Sequence, residues 1–352
     1  MTAGRAGDRV AGSQKKRLNF LLAMPTLRPS LHALRIMLAS FASLAACTGL
    51  LAAEPYPSSP VRVIVPTQPG GSVDIVARLV AAELSRRLGK QVVVDNRGGA
   101  GGIIGAEMTA KAAADGYTLL VVSTTQSIQP ALHKLPYEPV KSFSPIAKLA
   151  SGLLALVVHP SVPAGSAKDF VLLARRKPGA LSFAGTGNGS IVHMATLLFN
   201  TMASTDVLIV QYKSAGPAVI DLLGGHSHAM MGTISSVLPH IRSGKLKVLG
   251  TSGARRSDIL PEVPTIAETA LQGYEASIWY GIVAPADTPS PIIDRLNREI
   301  KAILALDEVR KMFLNGGVEA DYLGPAEFGA FFGREMEQWA RVVKKANITL
   351  KD

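Results

Sequence analysis

The chain has 352 residues, of which 47% are hydrophobic, 18% charged and 5% aromatic, with a formal net charge of +11. That length can bury two cores, the composition excludes a disordered chain, and the few aromatics argue against a base-stacking platform for nucleic acid. Residues 1–53 hold seven of the 37 basic side chains and one of the 26 acidic ones, so the remainder carries only +5. Such a mild excess suits small anions better than a polyanion.

The first element in chain order is a targeting segment. Arg28 and Arg35 precede the apolar run "IMLASFASLAACTGLLAA", which Glu54 and Pro55 close. A basic lead before an apolar stretch rich in small residues reads as an export signal over 1–53, with Met24 a fitting initiator, and places the mature protein in the periplasm. A spanning helix is the competing reading, and the run sits at the lower length limit for one. The sole cysteine, Cys47, closes "LAAC", which fits a lipoprotein processing box with a lipid anchor on Cys47. Cleavage after Ala53 is the other route, and both stay open. The mature chain then has no internal disulfide and no cysteine-based metal site.

From Val61 onward, β-branched runs alternate with amphipathic helical patterns, the signature of parallel βαβ units. "VRVIVP" predicts a strand and 73–88 a helix, with Val76, Leu79, Val80, Leu84 and Leu88 on one stripe, Ser72 as N-cap, and Arg86, Arg87 and Gly89 closing it. "QVVVD" and "GYTLLVVS" are further strands, with a helix from the 98–102 glycine loop through 114 between them. After "LLALVVHP" a second series begins: helix 167–176, "LSFAG", helix 190–201, "VLIVQ", helix 217–223, "HAMMG", helix 236–242 and "LKVLGTS". "SIWYGIVAPA" reads as a return crossing before helices 291–304 and 326–345. The pattern predicts an α/β protein with parallel-rich sheets and two domains, the first discontinuous (54–154 plus 277–352) and the second inserted (155–276). Ligands of open α/β sheets bind at the carboxyl ends of strands.

Two glycine loops follow strands and open helices. In "PGGSVD" the bare backbone at Gly70 and Gly71 faces such an end. In "GTGNGSIVH" the amides of Asn188, Gly189 and Ser190 are expected to point outward over a helix that Ser190 caps, which gives a second carboxylate cradle. His193 one turn in reads equally as a ligand contact or a satisfied half-buried histidine. A third loop, "RGGAGGIIGAE", spaces its glycines as GxGxxxG through Gly99, Gly101 and Gly105 rather than GxGxxG, and no acid follows where a ribose would need one. It reads as a tight turn with close helix packing, and no cofactor is expected.

Catalytic patterns are missing: there is no GxSxG elbow, no HExxH and no Cys/His cluster. Asp74 and Arg78 form an i,i+4 pair, and His226 and His228 lack further ligands nearby for a metal. The residues describe a binding protein rather than an enzyme. Against it stand a dinucleotide-dependent enzyme, the effector half of a transcription regulator, which would need a helix-turn-helix module, and an orphan ligand sensor without a transport role.

The stretches "YPSSPVRVIVPTQPGGSVDIVAR", "VVVDNRGGAGGIIGAE", "DGYTLLVVS", "LPYEPVKSFSPIA", "GTGNGSIVHMATLLF", "QYKSAGPAVIDLLGG", "LPHIRSGKLKVLGTS", "PEVPTIAET" and "WYGIVAPADTPSPIIDRLNREI" together resemble the Bug family of extracytoplasmic solute receptors, over about 56–349. These receptors are the substrate-binding component of tripartite tricarboxylate transporters. The resemblance implies a two-domain, type II Venus-flytrap periplasmic-binding-protein fold that closes on a small organic carboxylate through backbone amides and waters. It implies monomeric delivery to membrane permease subunits, with no nucleic acid partner. By motif, first-domain contacts fall on Gly70, Gly71, Ser72, Asp74 and Thr125, and second-domain contacts on Gly187, Asn188, Ser190, His193, Lys213 and Thr233. The chain departs from the family with Asp95 in "VDN", Ser214 after "YK", and Gly232 where relatives often carry an acid. Loss of that acid predicts a preference for a carboxylate without an amino group. The competing reading gives Gly232 a packing role and the ammonium contact to Asp74.

Overall fold

A computed structural model describes residues 56–345. The export segment, Met24 and Cys47 lie outside the described residues.

The first half is built as the β-branched runs predict. Strand β1 (Val61–Val65) pairs in parallel with β2 (Val92–Asn96) and β3 (Thr118–Ser123), with Val63 opposite Val94 and Leu119. Helix α1 (Ser72–Leu88) buries Val76, Ala77, Val80, Leu84 and Leu88 against this sheet. It ends on Gly89 in the left-handed conformation, whose amide returns to the Ser85 carbonyl. Helix α2 (Ile103–Ala110) is shorter than the pattern suggests, and α3 (Thr124–Leu132) starts directly from β3 with no apolar stripe long enough to announce it.

Strand β4 (Phe143–Val158) is one 16-residue element, twice the length of the apolar run read from the sequence. In the second half, α4 (Ala167–Arg176), β5 (Ser182–Thr186), α5 (Ile191–Ala203), β6 (Leu208–Tyr212), α6 (Ala215–Leu223), β7 (Ala229–Thr233), α7 (Ile234–Arg242) and β8 (Lys247–Thr251) follow as predicted, within a few residues at each end. A one-turn helix, α8 (Ile266–Thr269), leads to β9 (Ser277–Pro285). Then come α9 (Ser290–Leu304), α10 (Asp307–Asn315), β10 (Glu319–Leu323) and α11 (Pro325–Lys345). The pair α10 and β10 is absent from the sequence reading, because "EVRKMFLNGGVEADYL" carries charges through both elements.

The strand order is β2-β1-β3-β9-β4-β7-β5-β6, with β8 and β10 also pairing to β4. The outer strands run parallel, while β9 is antiparallel to β3 and to β4, so the sheet is mixed at its centre. The first part of β4 pairs with β9 and β10, and its last part, from Leu154, pairs with β7 and β8. Phe170, Phe183, Phe199 and Tyr274 pack ring to ring at 5.5–6.1 Å in the second half. Trp279 packs on Phe328, Phe331 and Phe332 in the first.

Candidate functional site

The stretch from Thr67 to Asp74 turns out of β1 and into α1. The N-cap of α1 is Gly71 rather than Ser72, which is the first helical residue, and no side chain caps the helix. The first-turn amides therefore lack the acceptor a cap supplies, and an uncapped N-terminus carries partial positive charge suited to an anion. The two glycines play different parts. Gly70 is exposed, has φ +82°, and donates its amide to Asp74 at 2.9 Å, so that amide is already spent. Gly71 is buried with φ −81°, and a Cβ there would meet nothing closer than 3.8 Å. Neither backbone nor packing requires glycine at Gly71, where a Cβ would make only ordinary contact with Gln68 and Thr67.

Asp74, 4% exposed, is fully engaged. Its oxygens accept from Arg78 Nε at 3.0 Å and Asn96 Nδ2 at 2.9 Å besides Gly70, and Arg78 also reaches the Asn96 side chain at 3.0 Å. Burial pushes its carboxyl pKa up, but the hydrogen bonds from Arg78, Gly70 and Asn96 outweigh it and hold the pKa below the usual value. The i,i+4 pair expected from sequence is present, and Asp74 braces the loop with no lone pair directed to an ammonium.

In the second half the loop after β5 is more self-satisfied than the sequence suggests. Gly189 donates to His193 Nδ1 at 3.1 Å, Ser190 N to the Gly187 carbonyl at 3.2 Å, and Gly187 N to the Tyr212 carbonyl at 2.8 Å. Of the three amides read as outward-facing, those of Gly189 and Ser190 are consumed within the loop, because both glycines adopt positive φ and curl it back. Ser190 does cap α5, accepting from His193 N at 3.1 Å. His193 is 8% exposed, and burial lowers its pKa to about 4. Nδ1 is the acceptor, so the neutral ring carries its proton on Nε2. Thr233 is the N-cap of α7 but turns its hydroxyl to Ser236 at 2.9 Å, which leaves that helix uncapped by side chains as well. Thr125 is half-buried in the first turn of α3. Lys213 is exposed at the end of β6 and forms no ion pair among the described residues.

Residues from both halves converge around Tyr280 of β9. Its ring is fully buried, and its hydroxyl lies near the Ser72 and Ser235 hydroxyls, which oppose the upward push of burial on its pKa. Yet it completes no hydrogen bond of normal geometry among the described residues. Ser72 opens α1 and Ser235 opens α7. The Gly316–Gly317 turn backs this point, since a Cβ on Gly317 would fall 2.6 Å from Ser235 Cα. Farther along, Gln129 gives Nε2 to the Gly101 carbonyl at 3.2 Å and leaves Oε1 buried without a partner, next to Gly189. Thr67 Oγ1, 3.9 Å from the Cβ position of Gly71, is likewise unpaired. A buried polar atom without a partner costs about 1–3 kcal/mol. Three of the five such atoms among the described residues, on Thr67, Gln129 and Tyr280, border these loops. Sequence reading missed all three, together with Ser235. The available signals were a tyrosine inside the apolar run "IWYGIVA" and the uncharged glutamines of "TTQSIQPA".

Gly232 does not face this region. Its Cβ would fall 2.6 Å from Val237 Cγ1, under α7, so the glycine makes room for that helix. The packing role for Gly232 holds, and the expectation that a missing acid there selects the ligand loses its geometric basis. The 98–105 loop serves close packing, as read: a Cβ on Gly105 would fall 2.8 Å from the Arg97 carbonyl. A separate groove of about 370 Å³ opens where β4, β9 and β10 meet, lined by Arg255, Asp258, Glu275 and Glu319 among others. Its charges are of mixed sign and none of its lining residues has a buried unpaired polar atom, so the region around Tyr280 is the stronger candidate. Among the described residues no group of three or more His, Cys, Asp or Glu side chains is placed to hold a metal ion, and no helix is long and apolar enough to cross a membrane.

Comparison with known proteins places these features in context. Residues 76–348 match the model of the tripartite tricarboxylate transporter family receptor. The protein BugT of Bordetella pertussis is 37% identical over 314 residues, 88% of this chain and 96% of BugT. Among solved structures, Rpa4515 of R. palustris with adipate is 32% identical with a TM-score of 0.81, covering 84% of this chain and 99% of that one. MatC from Rhodopseudomonas palustris with bound malate is 32% identical with a TM-score of 0.77, covering 82% of this chain and all of the other.

Proposed function

Because the chain belongs to the tripartite tricarboxylate transporter family of receptors, we propose that it captures a small organic carboxylate between two lobes in the periplasm and delivers it to membrane permease subunits. The lobes are 54–154 with 277–352, and 155–276, which follows the division of β4 at Leu154 between two sets of partners. The carrying observation is the convergence of two uncapped helix N-termini, at Gly71 and Thr233, on a buried tyrosine hydroxyl with no partner of normal geometry. Two positive helix ends and neutral hydroxyl donors suit a carboxylate and provide no step of bond-making, so the protein is a receptor and not an enzyme. Within this reading Gly71, Ser72, Thr125, Asn188, His193 and Thr233 face the ligand, Gly70, Asp74, Gly187 and Ser190 shape the loops that present them, and Lys213 stands at the rim. The 1–53 segment directs export, and the mature receptor acts as a monomer.

A thermal-shift screen of the purified protein tests this. A carboxylate at about one hundred times its Kd adds roughly 2.7 kcal/mol, a rise of several degrees in Tm. A panel of mono-, di- and hydroxycarboxylates that leaves Tm unmoved, while a nicotinamide or flavin cofactor raises it, would overturn the receptor reading in favour of a dinucleotide-dependent protein.

A further inference from the structure

The fold contains two fully buried tyrosines of opposite character. Tyr274 donates its hydroxyl to the Ala195 carbonyl at 3.0 Å and closes an aromatic core. Tyr280 is equally buried but leaves its hydroxyl without a partner of normal geometry, between Ser72 on one half and Ser235 on the other. A phenylalanine would fill the same core volume without stranding a polar atom.

The ring cannot turn elsewhere. Tyr280 sits mid-strand in β9, opposite Ser123 of β3 and Ala150 of β4. Side chains alternate along a strand, and the far face is already filled. There Trp279 packs on Phe328, Phe331 and Phe332 and donates Nε1 to Glu335 at 2.8 Å. Gly281 on the other side of Tyr280 leaves no room for a side chain beside the Phe328 ring. The register is locked on both sides, and the phenol is held rigidly toward the two helix N-termini.

Resting on the carboxylate reading above, we infer that the Tyr280 hydroxyl contacts the ligand directly, donating to a carboxylate oxygen held between Ser72 and Ser235, and so couples ligand binding to contact between the two halves. Burial keeps the phenol protonated, hence a donor. A hydrogen bond from a buried neutral donor to a charged acceptor is stronger than one between neutral groups. Such a group sets affinity and not merely fold.

Calorimetric titration of malate, adipate, succinate and aspartate against the wild type, Tyr280→Phe and Tyr274→Phe tests the assignment. Tyr280→Phe is expected to bind the wild type's preferred probe about 10- to 100-fold more weakly, with the ligand-free Tm unchanged or raised because a stranded polar atom is gone. Tyr274→Phe is expected to lower Tm and leave affinity intact. Equal affinities of wild type and Tyr280→Phe would overturn the inference and leave the receptor reading standing. Binding of no probe by the wild type would overturn both. If Tyr280→Phe does not fold, Ser72→Ala and Ser235→Ala carry the test: weakened binding at unchanged Tm supports the assignment, and unchanged binding refutes it.

Discussion

The Gly70 amide donates to the Asp74 carboxylate at 2.9 Å, across a single turn, and this bond decides what the loop after β1 offers a ligand. With Gly70 tied back to Asp74, and Asp74 held by Arg78 and Asn96, the open backbone is that of Gly71 and the residues that follow it. Asp74→Ala would leave the Gly70 amide, Arg78 and Asn96 without their acceptor. We expect a loss of about 2–3 kcal/mol in urea unfolding, with a weakening of carboxylate binding secondary to loop disorder. Unfolding free energy within 0.5 kcal/mol of wild type would contradict the bracing role.

The neighbouring glycines separate conformation from ligand access. Gly70→Ala places a Cβ at φ +82° and should cost about 1–2 kcal/mol. Gly71→Val meets no such strain, since φ there is −81° and a Cβ would make only ordinary contact at 3.8 Å, but its methyl groups would crowd the first-turn amides. We expect Gly71→Val to keep the wild-type Tm within a few degrees and to lose the Tm rise caused by the carboxylate, while Gly70→Ala does the reverse. Retention of the full ligand-induced shift by Gly71→Val would remove that cradle from the site.

His193 makes stability depend on pH in a defined window. Its pKa falls from 6.5 unfolded to about 4 folded, because burial disfavours the imidazolium. Between those values the unfolded chain binds the extra proton, so stability rises with pH across the window and is lost as pH falls from 6.5 to 4. The stability lost across that window is on the order of 3 kcal/mol. Denaturant titrations of wild type and His193→Gln at pH 7 and pH 4.5 should show a smaller pH difference in the variant; identical differences would show that His193 is not the titrating group.

Asp74 and Asp321 act at lower pH. Burial raises both pKa values, yet Arg78 and its companions at Asp74, and Lys148 and Ser151 at Asp321, bring both below the usual carboxylate value. Depressed carboxyls stabilise the fold above their unfolded pKa and lose that contribution as pH falls through the folded one. Asp321→Asn should therefore flatten the stability profile below about pH 4 and leave the pH 4–6.5 slope untouched, as followed by circular dichroism in a pH series.

Export is read from residues 1–53 alone, and intact-mass measurement of the protein recovered from cells decides it. We expect a chain beginning at an acylated Cys47 or at an unmodified residue near Glu54. A mass that retains Met1 or Met24 would exclude processing.

The pairing of β-branched runs with 3.6-residue stripes made the parallel outer strands and most of the helices legible, because each such element carries its own burial pattern. The centre was less legible. In β4 the apolar run is interrupted by Ser144, Pro145, Lys148 and Ser151, and only the structure shows Lys148, 7% exposed, satisfied by Asp321 at 2.5 Å and the Phe331 ring. At the candidate site, glycines and caps identified the loops, since bare backbone leaves a local signature. Thr67 and Ser235 left none, and Tyr280 and Gln129 left only a polar residue type within "IWYGIVA" and "TTQSIQPA", because their role depends on partners far away in the chain. The outward amides expected at Gly189 and Ser190 failed for a related reason: positive φ values let a loop satisfy itself, and no residue type announces which way it curls.

The length of β4 has a thermal consequence. One unbroken strand supplies backbone partners to β9 and β10 before Leu154 and to β7 and β8 after it. Melting either half would strip a ladder from the strand that the other half still needs, leaving an unpaired apolar edge in water. Cooperativity across the chain is thus built into a single run of covalent backbone. Calorimetry should record one transition, with the enthalpy from its width equal to the enthalpy from its area.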